Sequence, residues 1–322
     1  MPLQILPDDQ PTLASLANQA QSGEELHSPG RRRFLAGLAT SGAALALGGR
    51  PRIAKAEGPD AWYALVSDIH IAADASTRLR GEVMADNLRA VVSDILAASD
   101  APRAVLFDGD IALNEGLTAD YRMVASLLEP LRKAKLPIHL GLGNHDERGR
   151  FREALKETVP TDSQVVDKQV AALDEPGIRF LVLDSLDQVK LVPGRLGQTQ
   201  LDWLAKTLDA KPDQPTLIFL HHNPIPIQKP GLLDTEAFLE VVRPRRQVKG
   251  IVFGHTHVWG IEKDDDLYMI NLPAVAYSFA QSQPLGWCRL RPTPSGAELE
   301  LRCVAGNREA DRKRIDLKWR TA

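Results

Sequence analysis

The sequence of 322 residues is poor in cysteine, has no excess of basic charge and contains no long apolar run. Its two cysteines, Cys288 and Cys303, are too few for a disulfide framework or for a structural zinc site, which needs about four closely spaced Cys or His ligands. A formal net charge of −3 gives no indication of nucleic-acid binding. A membrane span needs roughly 20 strongly apolar residues, and no stretch of the sequence reaches that length. We therefore expect neither a nucleic-acid partner nor a stable membrane anchor.

Two common catalytic signatures are also missing. The sequence contains no Walker loop and no Gly-x-Ser-x-Gly nucleophile elbow. It therefore indicates neither a P-loop phosphate site nor the serine of an α/β-hydrolase. Histidine is more informative, because six of the eight histidines lie in short polar clusters.

The N-terminal residues have the features of an export signal. Residues 1–30 are polar and aperiodic, which predicts disorder. The run RRRFL at residues 31–35 precedes an uncharged stretch at 36–49 that is too short for a membrane anchor. Ala54 and Ala56 then place small residues at the alternate positions that a signal peptidase reads.

The run RRRFL resembles the twin-arginine export signal, in which two arginines and any third residue precede Phe and Leu. This resemblance implies that the folded protein passes through the twin-arginine translocase. We expect cleavage after Ala56 and a periplasmic or extracellular location. The chain then divides into a signal segment with its disordered extension, residues 1–56, and one domain, residues 57–322.

Beyond residue 61, short apolar runs alternate with segments of helical period. The runs that predict strands are 62–67, 104–107, 137–142, 178–183, 216–220, 249–253 and 267–271. Amphipathic helices are predicted at 80–98, 119–134 and 198–208. The alternation predicts an α/β fold with helices outside a sheeted core.

The C-terminal sequence predicts a β-hairpin. Two strands, at 286–291 and 297–304, flank a turn rich in Pro and Gly. Cys288 and Cys303 are roughly symmetric about this turn, so the strands could place them opposite each other. In an exported protein this permits a disulfide, and two buried free thiols are the other possibility, because the register cannot be read from sequence.

Five short polar clusters follow the predicted strands. They are Asp68-Ile69-His70, Gly109-Asp110, Gly143-Asn144-His145-Asp146, His221-His222 and Gly254-His255-Thr256-His257. Functional residues of α/β proteins gather where strands end. In an extended chain Asp68 and His70 would project from one face and could hold one cation, and His255 and His257 share this spacing. The glycines would permit tight turns where a Cβ would obstruct the site.

The donor types in these clusters predict a metal centre. Oxygen donors from two Asp and one Asn, mixed with imidazoles, suit Mn, Fe or Zn better than a metal that prefers thiolates. About seven donors exceed the needs of one tetrahedral zinc site. Two ions about 3.5 to 4 Å apart that share a bridging carboxylate are the simplest arrangement.

The order of the five clusters resembles the calcineurin-like metallophosphoesterase superfamily. The family pattern is Asp-x-His, Gly-Asp, Gly-Asn-His-Asp/Glu, His and Gly-His-x-His, and it extends here from about residue 61 to residue 259. Segments 109–114, 197–204 and 221–224 are similar to the branch that contains class III cyclic-nucleotide phosphodiesterases and glycerophosphodiesterases. The resemblance implies a four-layer αββα sandwich, to which the predicted C-terminal hairpin would belong.

The family pattern assigns metal ligands residue by residue. It implies that Asp68, His70 and His257 hold the first ion, that Asn144, His221 and His255 hold the second, and that Asp110 bridges them. His222 is the alternative to His221, which we choose because it comes first after its strand.

The same pattern indicates the catalytic residues. His145 matches the family histidine that stays unbound and faces the substrate, and Asp146 is expected to orient it. Asp108 stands where relatives commonly have Thr or Ser, and it could either support the metal site or face solvent. His70 and Leu113 replace the Gly and Tyr of purple acid phosphatases, so a tyrosinate-bound ferric site is not expected.

The expected reaction is hydrolysis of a small phosphoester with two metal ions. The ions would lower the pKa of water, and a bridging hydroxide would attack phosphorus in line with the leaving group. Protonated His145 would stabilise the transition state or protonate the leaving alkoxide. A phosphodiester is the expected substrate, because segment 197–204 resembles the diesterase branch. A phosphomonoesterase of broad specificity and a catalytically silent metal-binding module are the alternatives.

Overall fold

Two β-sheets lie face to face at the centre of the fold. The structure, a computed structural model, describes residues 61–158, 160, 163–225 and 231–321. The twin-arginine segment and the cleavage site after Ala56 lie outside these residues, so both stay predictions. Within the described ranges, no helix combines the length and the apolar character that a membrane crossing requires.

The structure confirms that the seven apolar runs form strands. In chain order they are β1 (Tyr63–Val66), β2 (Arg78–Leu79), β3 (Glu82–Val83), β4 (Val105–Phe107), β5 (Ile138–Leu140), β6 (Ala171–Glu175), β7 (Ile178–Val182), β8 (Thr216–Phe219), β9 (Val248–Phe253), β10 (Gly260–Asp264), β11 (Leu267–Asn271), β12 (Pro284–Thr293), β13 (Gly296–Gly306) and β14 (Arg314–Lys318). The seven predicted runs correspond to β1, β4, β5, β7, β8, β9 and β11. The predicted C-terminal hairpin is confirmed as β12 and β13.

The strands form two six-stranded sheets and one short hairpin. The first sheet has the order β14-β13-β12-β1-β4-β5, in which β1, β4 and β5 are parallel. The second has the order β10-β11-β9-β8-β7-β6, in which β7, β8, β9 and β11 are parallel. The carboxyl ends of the parallel strands therefore lie at one edge of each sheet.

Three apolar cores separate four layers. Helices α1 (Met84–Leu96), α2 (Thr118–Lys133) and α3 (Arg148–Leu155) pack on the first sheet, and α4 (Gln198–Asp209) and α5 (Thr235–Val242) pack on the second. The third core lies between the sheets. In β1, Ala64 and Val66 face the helices while Tyr63 and Leu65 face the second sheet. Strands covered on both faces are apolar throughout, and the expected αββα sandwich is confirmed.

The helix predicted at 80–98 begins later than the periodicity indicates, at Met84. The preceding residues form the hairpin of β2 and β3, whose turn residues Arg80 and Gly81 have φ values of +49° and +89°. Two successive residues with positive φ are typical of a tight two-residue hairpin turn. Helical periodicity does not reveal such a turn, because it reports only which side chains share a face.

The two cysteines are buried and free. Cys288 lies opposite Leu301 and Cys303 lies opposite Gly286, so the hairpin register offsets the two thiols along the strands. Burial raises the pKa of both. Of the two arrangements that the sequence leaves open, the structure has the buried free thiols.

Candidate metal centre

The five polar clusters meet at the carboxyl ends of β1, β4, β5, β8 and β9. The first three strands belong to one sheet and the last two belong to the other. Three groups of side chains have donor atoms close enough to hold an ion: Asp68, His70 and His257; Asp110, His221 and His255; and His70, Asp110 and His145. The structure therefore brings together residues that are up to 189 positions apart, as the order of the motifs predicts.

Asp110 lies at the centre of the group. Its Oδ2 is 3.5 Å from Nε2 of His70 and 3.2 Å from Nε2 of His221. In the first expected ligand set, Nε2 of His257 is 3.3 Å from Oδ1 of Asp68. One carboxylate oxygen thus faces a histidine from each expected ligand set, which is the position that a bridging ligand requires.

Oxygen atoms on the far side of the rings set the direction of three imidazoles. Nδ1 of His70 is 3.2 Å from the carbonyl oxygen of Leu113, and Nδ1 of His257 is 2.6 Å from that of Tyr277. Because a carbonyl only accepts hydrogen bonds, Nδ1 carries the proton and the Nε2 lone pair faces the cluster. Such an outer oxygen is the usual partner of a metal-binding histidine.

The carboxylate of Asp108 orients the ring of His221 in the same way. Its Oδ2 is 3.3 Å from Nδ1 of His221 and accepts a hydrogen bond of 3.2 Å from Oγ of Ser67. Burial raises the pKa of Asp108 to about 6. Of the two positions that the sequence allows for this carboxylate, it therefore supports the site and does not face solvent.

The structure separates the two adjacent histidines after β8. His221 points at Asp110, whereas Nδ1 of His222 is 2.8 Å from Oγ of Ser185. His222 is not part of any donor group found in the described residues. This geometry supports the choice of His221 as the candidate ligand.

The donor atoms suit a cation on physical grounds. Nε2 of His70 and Nε2 of His257 are 3.2 Å apart, and in neutral rings with protonated Nδ1 both atoms present lone pairs. Burial lowers the pKa of His70 and that of His255 to about 3, which keeps these rings neutral. Oδ1 of Asn144 is buried and has no hydrogen-bond partner among the described residues. A cation would relieve the repulsion of the lone pairs and bind the unsatisfied amide oxygen.

The backbone at the candidate ligands differs from the expected extended conformation. Positive φ values between 41° and 68° occur at Asp68, His70, Asp110, His255 and His257. Asp and His are among the residues that adopt this left-handed conformation most readily. The expectation that each pair projects from an extended segment is therefore wrong, although each pair does converge on the cluster.

The expectation for the glycines is confirmed. A Cβ on Gly143 would overlap the carboxylate of Asp110, and one on Gly254 would overlap Ser67 and Asp68. The backbone can approach the donor groups this closely only where no side chain is present.

His145 lies at the edge of the cluster, and its side chain is 26% exposed. Its Nε2 is 4.0 Å from Oδ2 of Asp110. Its Nδ1 is 3.0 Å from the carbonyl oxygen of Asn114 and 3.1 Å from the side-chain oxygen of the same residue. The ring is held from behind, while its other nitrogen is available to a substrate beside the cluster.

Asp146 does not contact the ring of His145, contrary to the expectation that it orients this histidine. Its carboxylate is fully buried and accepts hydrogen bonds from the N–H groups of Ile111, Ala112 and Gly143 at 2.9 to 3.1 Å. The hydroxyl of Tyr121 donates a fourth hydrogen bond, at 3.0 Å. Asp146 therefore joins the loops after β4 and β5. Asn114, and not Asp146, is the residue that orients the ring of His145.

Sequence reasoning missed Asn114 and Tyr277 as supports of the site. Asn114 lies at the end of a segment with family similarity, which was an available signal. Tyr277 acts through its backbone carbonyl and lies 20 residues after His257. No residue type at position 277 could indicate that contact.

Comparisons with known proteins agree with this geometry. The family described as calcineurin-like phosphoesterase matches residues 61–259. A probable cyclic nucleotide phosphodiesterase from Synechococcus sp. is 32% identical over 240 residues, which are 73% of this chain and 88% of the relative. A cAMP/cGMP dual specificity phosphodiesterase from Mycobacterium tuberculosis is 33% identical over 223 residues, 64% of this chain and 65% of the relative. A dimetal phosphatase from Danio rerio shares the fold with a TM-score of 0.64 at 19% identity, over 82% of this chain and all of that one.

Proposed function

Because the chain belongs to the calcineurin-like phosphoesterase family and is a metal-dependent phosphoester hydrolase, we propose that its substrates are phosphodiesters. The observation that carries the proposal is the position of His145, whose partly exposed ring lies at the edge of the donor cluster and belongs to neither of the two ligand sets that the family pattern implies. A module that only bound metal would have no need of this histidine. The relatives from Synechococcus sp. and Mycobacterium tuberculosis are described as a probable and a dual specificity phosphodiesterase, which supports a diester as the substrate.

The proposed reaction uses two ion positions, which the donor groups and the family pattern support. Asp68, His70 and His257 would hold one ion, Asn144, His221 and His255 would hold the other, and Asp110 would be shared by the two. Oxygen and imidazole donors suit Mn, Fe or Zn. Two such ions, when bound, stabilise the charge on a phosphate and make water acidic enough to attack at neutral pH. Elemental analysis of the purified protein identifies the two metals.

His145 is the proton donor of the proposed reaction. Asn114 fixes its Nδ1, so its Nε2 points toward the space beside Asp110. A protonated ring in this position stabilises negative charge on the transferring phosphoryl group and gives its proton to the leaving oxygen. Asp146 assists only indirectly, by holding the loop from which His145 projects.

We expect His145→Ala to keep both ions and lose about 100-fold or more of kcat on a diester with an alkoxide leaving group, the size typical of a general acid. The loss on bis(p-nitrophenyl) phosphate is smaller, because p-nitrophenolate leaves without a proton. Steady-state kinetics and metal analysis of the same sample check this. His139→Gln is the control, because His139 lies in β5 outside the cluster. Equal losses on both substrates, or none, contradict the assignment.

A comparison of kcat/KM on two substrates distinguishes a phosphodiesterase from a phosphomonoesterase. The wild-type protein is expected to show a higher kcat/KM on bis(p-nitrophenyl) phosphate than on p-nitrophenyl phosphate. A preference for the monoester replaces the proposal with a broad phosphomonoesterase. No turnover of either substrate by the metal-loaded protein favours the silent metal-binding module.

The proposed location is outside the cytoplasm, with the mature domain at residues 57–322. The support is the run RRRFL at 31–35 and the small residues before position 57. We expect the double variant Arg31→Lys, Arg32→Lys to remain in the cytoplasm, because the translocase recognises the arginine pair. Arg33→Lys is the matched control, since the third position of the motif accepts any residue. Cell fractionation measures the result, and periplasmic recovery of the double variant contradicts this route.

A further inference from the structure

A cavity of about 320 Å³ lies between the first sheet and the residues that follow α1. Two tryptophans and three arginines are among the residues that line it. One of them, Trp62, directly precedes β1, whereas Asp68 of the metal centre follows this strand. Six residues of extended chain span roughly 20 Å. The cavity and the metal centre therefore lie at opposite ends of β1, and we call the cavity the tryptophan cavity.

Two buried N–H donors of the tryptophan cavity lack an acceptor. Trp62 is fully buried, and its Nε1 has no hydrogen-bond partner among the described residues. The same holds for Nε of Arg289, although Nη2 of this residue is 3.2 Å from both carboxylate oxygens of Asp100. A buried donor without an acceptor destabilises a fold. Both residues line the cavity, so one bound acceptor there would satisfy both donors.

The carboxylate in the wall of the cavity is already engaged. Asp94 accepts hydrogen bonds from Nε1 of Trp287 at 3.0 Å and from Nε of Arg302 at 3.1 Å. Arg302 is also paired with Glu300, at 3.1 Å. Asp94 is therefore committed to other donors, and the acceptor for Trp62 has to come from a bound molecule.

The charge of the lining favours an anion. The wall contains three guanidinium groups and one carboxylate. Asp100 and Glu300 neutralise part of this charge from outside the wall. The third guanidinium, that of Arg312, is 4.0 Å from its nearest carboxylate, Asp311, and its side chain is 67% exposed. Nε of Arg289 and the charge of Arg312 thus remain for a ligand.

The rest of the wall is apolar. The ring centroids of Trp62 and Trp287 are 6.0 Å apart, and the guanidinium carbon of Arg289 is 4.2 Å from the centroid of Trp62. Ala97 and Ala98 complete this surface. A pocket with a mainly apolar wall and a few polar groups at fixed positions is typical of a small-molecule site. An inorganic anion would gain nothing from the indole rings, and an uncharged apolar molecule would leave the donors unsatisfied.

We propose that the tryptophan cavity binds a small organic carboxylate with an apolar or aromatic body. The two carboxylate oxygens accept from Nε1 of Trp62 and Nε of Arg289, and Arg312 contributes charge. The apolar body lies against the indole rings. The site is separate from the metal centre, so its ligand is not a substrate and does not compete with a phosphoester.

Isothermal titration of the full chain tests the proposal with benzoate, phenylacetate and indole-3-acetate, which differ in the size of the apolar body. Acetate lacks this body, and 2-phenylethanol lacks the charge of phenylacetate. We expect the tightest of the three carboxylates to bind at least about tenfold more tightly than either control, because a hydrogen bond to a charged group contributes about that factor. If none of the three shows saturable binding, water alone satisfies the donors and the inference is overturned.

Trp62→Phe removes the N–H and keeps an aromatic ring, so it is expected to lose about tenfold or more of the affinity. Trp203→Phe is the matched control, because Nε1 of Trp203 donates to Gln164 at 2.9 Å and its helix packs on the other sheet. Arg312→Gln alters an exposed side chain and is expected to lose about two- to fivefold. Thermal melting establishes that each variant is folded. Should Trp62→Phe not fold, wild-type affinity in Arg312→Gln contradicts the proposal.

A last comparison distinguishes this site from the metal centre, because carboxylates also bind metal ions. Asp110→Asn alters the metal centre and is expected to bind the carboxylate as wild type does. If binding is lost in Asp110→Asn and retained in Trp62→Phe, the carboxylate binds at the metals and the inference is overturned.

Discussion

At the scale of single residues, the chemistry of this site depends on which oxygen lies behind each imidazole. Two of these oxygens are the backbone carbonyls of Leu113 and Tyr277, and side-chain substitution leaves them in place. The third belongs to Asp108, which contacts His221. Asp108 is therefore the one of these three supports that mutation can remove directly.

We expect Asp108→Ala to weaken metal binding by about 10- to 100-fold, the usual effect of losing the outer partner of a histidine ligand. Asp108→Asn keeps an oxygen that can accept from Nδ1 of His221, so it is expected to retain much of the affinity. Isothermal titration with Mn²⁺ or Zn²⁺ measures both variants. Wild-type affinity in the alanine variant shows that Asp108 does not orient the ring.

At the scale of secondary-structure elements, short connections after the parallel strands carry the site. Asp146 binds the loop after β4 to the loop after β5 through three backbone N–H groups, and Tyr121 of α2 completes its hydrogen bonding. The N–H of His70 donates to the carbonyl oxygen of Asp110, which joins the loops after β1 and β4. The donor atoms are thus positioned by loop-to-loop hydrogen bonds.

Gly143→Ala tests how tightly these loops approach each other. Its Cβ would overlap the Asp110 carboxylate, so we expect the variant to lose one or both ions and most activity while retaining the sheets. Gly260→Ala is the matched control, because a Cβ there meets no atom within 4 Å and its φ is not positive. Metal content, activity and far-UV circular dichroism are compared. Normal metal content in Gly143→Ala would show that the loop has room to move.

At the scale of the whole molecule, the candidate metal centre lies where the two sheets meet. Asp68, Asp110 and Asn144 follow strands of the first sheet, whereas His221 and His255 follow strands of the second. Ions bound between them would hold the edges of both sheets together. We therefore expect metal binding and the stability of the sandwich to be linked.

Removal of the metal is expected to lower the melting temperature by several degrees. An ion at a free concentration of 100 times its Kd adds about 2.7 kcal/mol to the free energy of unfolding, because it binds the folded state selectively. Differential scanning calorimetry with and without EDTA measures the change, and added Mn²⁺ or Zn²⁺ should restore it. Asp110→Asn is expected to be insensitive to chelation. An unchanged melting temperature of wild type in EDTA contradicts the linkage.

Much of the fold and of the donor set could be predicted from local sequence. The runs that became β1, β4, β5, β7, β8, β9 and β11 are apolar because both faces of these strands are buried. The edge strands β6 and β10 are only partly buried, so they give a weaker signal and were not predicted. The turn at Arg80 was also missed, because backbone torsion leaves no trace in periodicity.

The sequence by itself determined the α/β class and the residue types and order of the candidate donors, because strand ends and residue types are local properties, and the family pattern suggested which of them bind metal. Tertiary structure decided that Asn114 and not Asp146 contacts His145, that Asp108 supports His221, and that Arg80 reaches Phe279. Each of these contacts joins residues that are distant in sequence or depends on a left-handed backbone turn. Such contacts form only when the strands pair and the two sheets pack, since pairing and packing set which loops meet and at what distance.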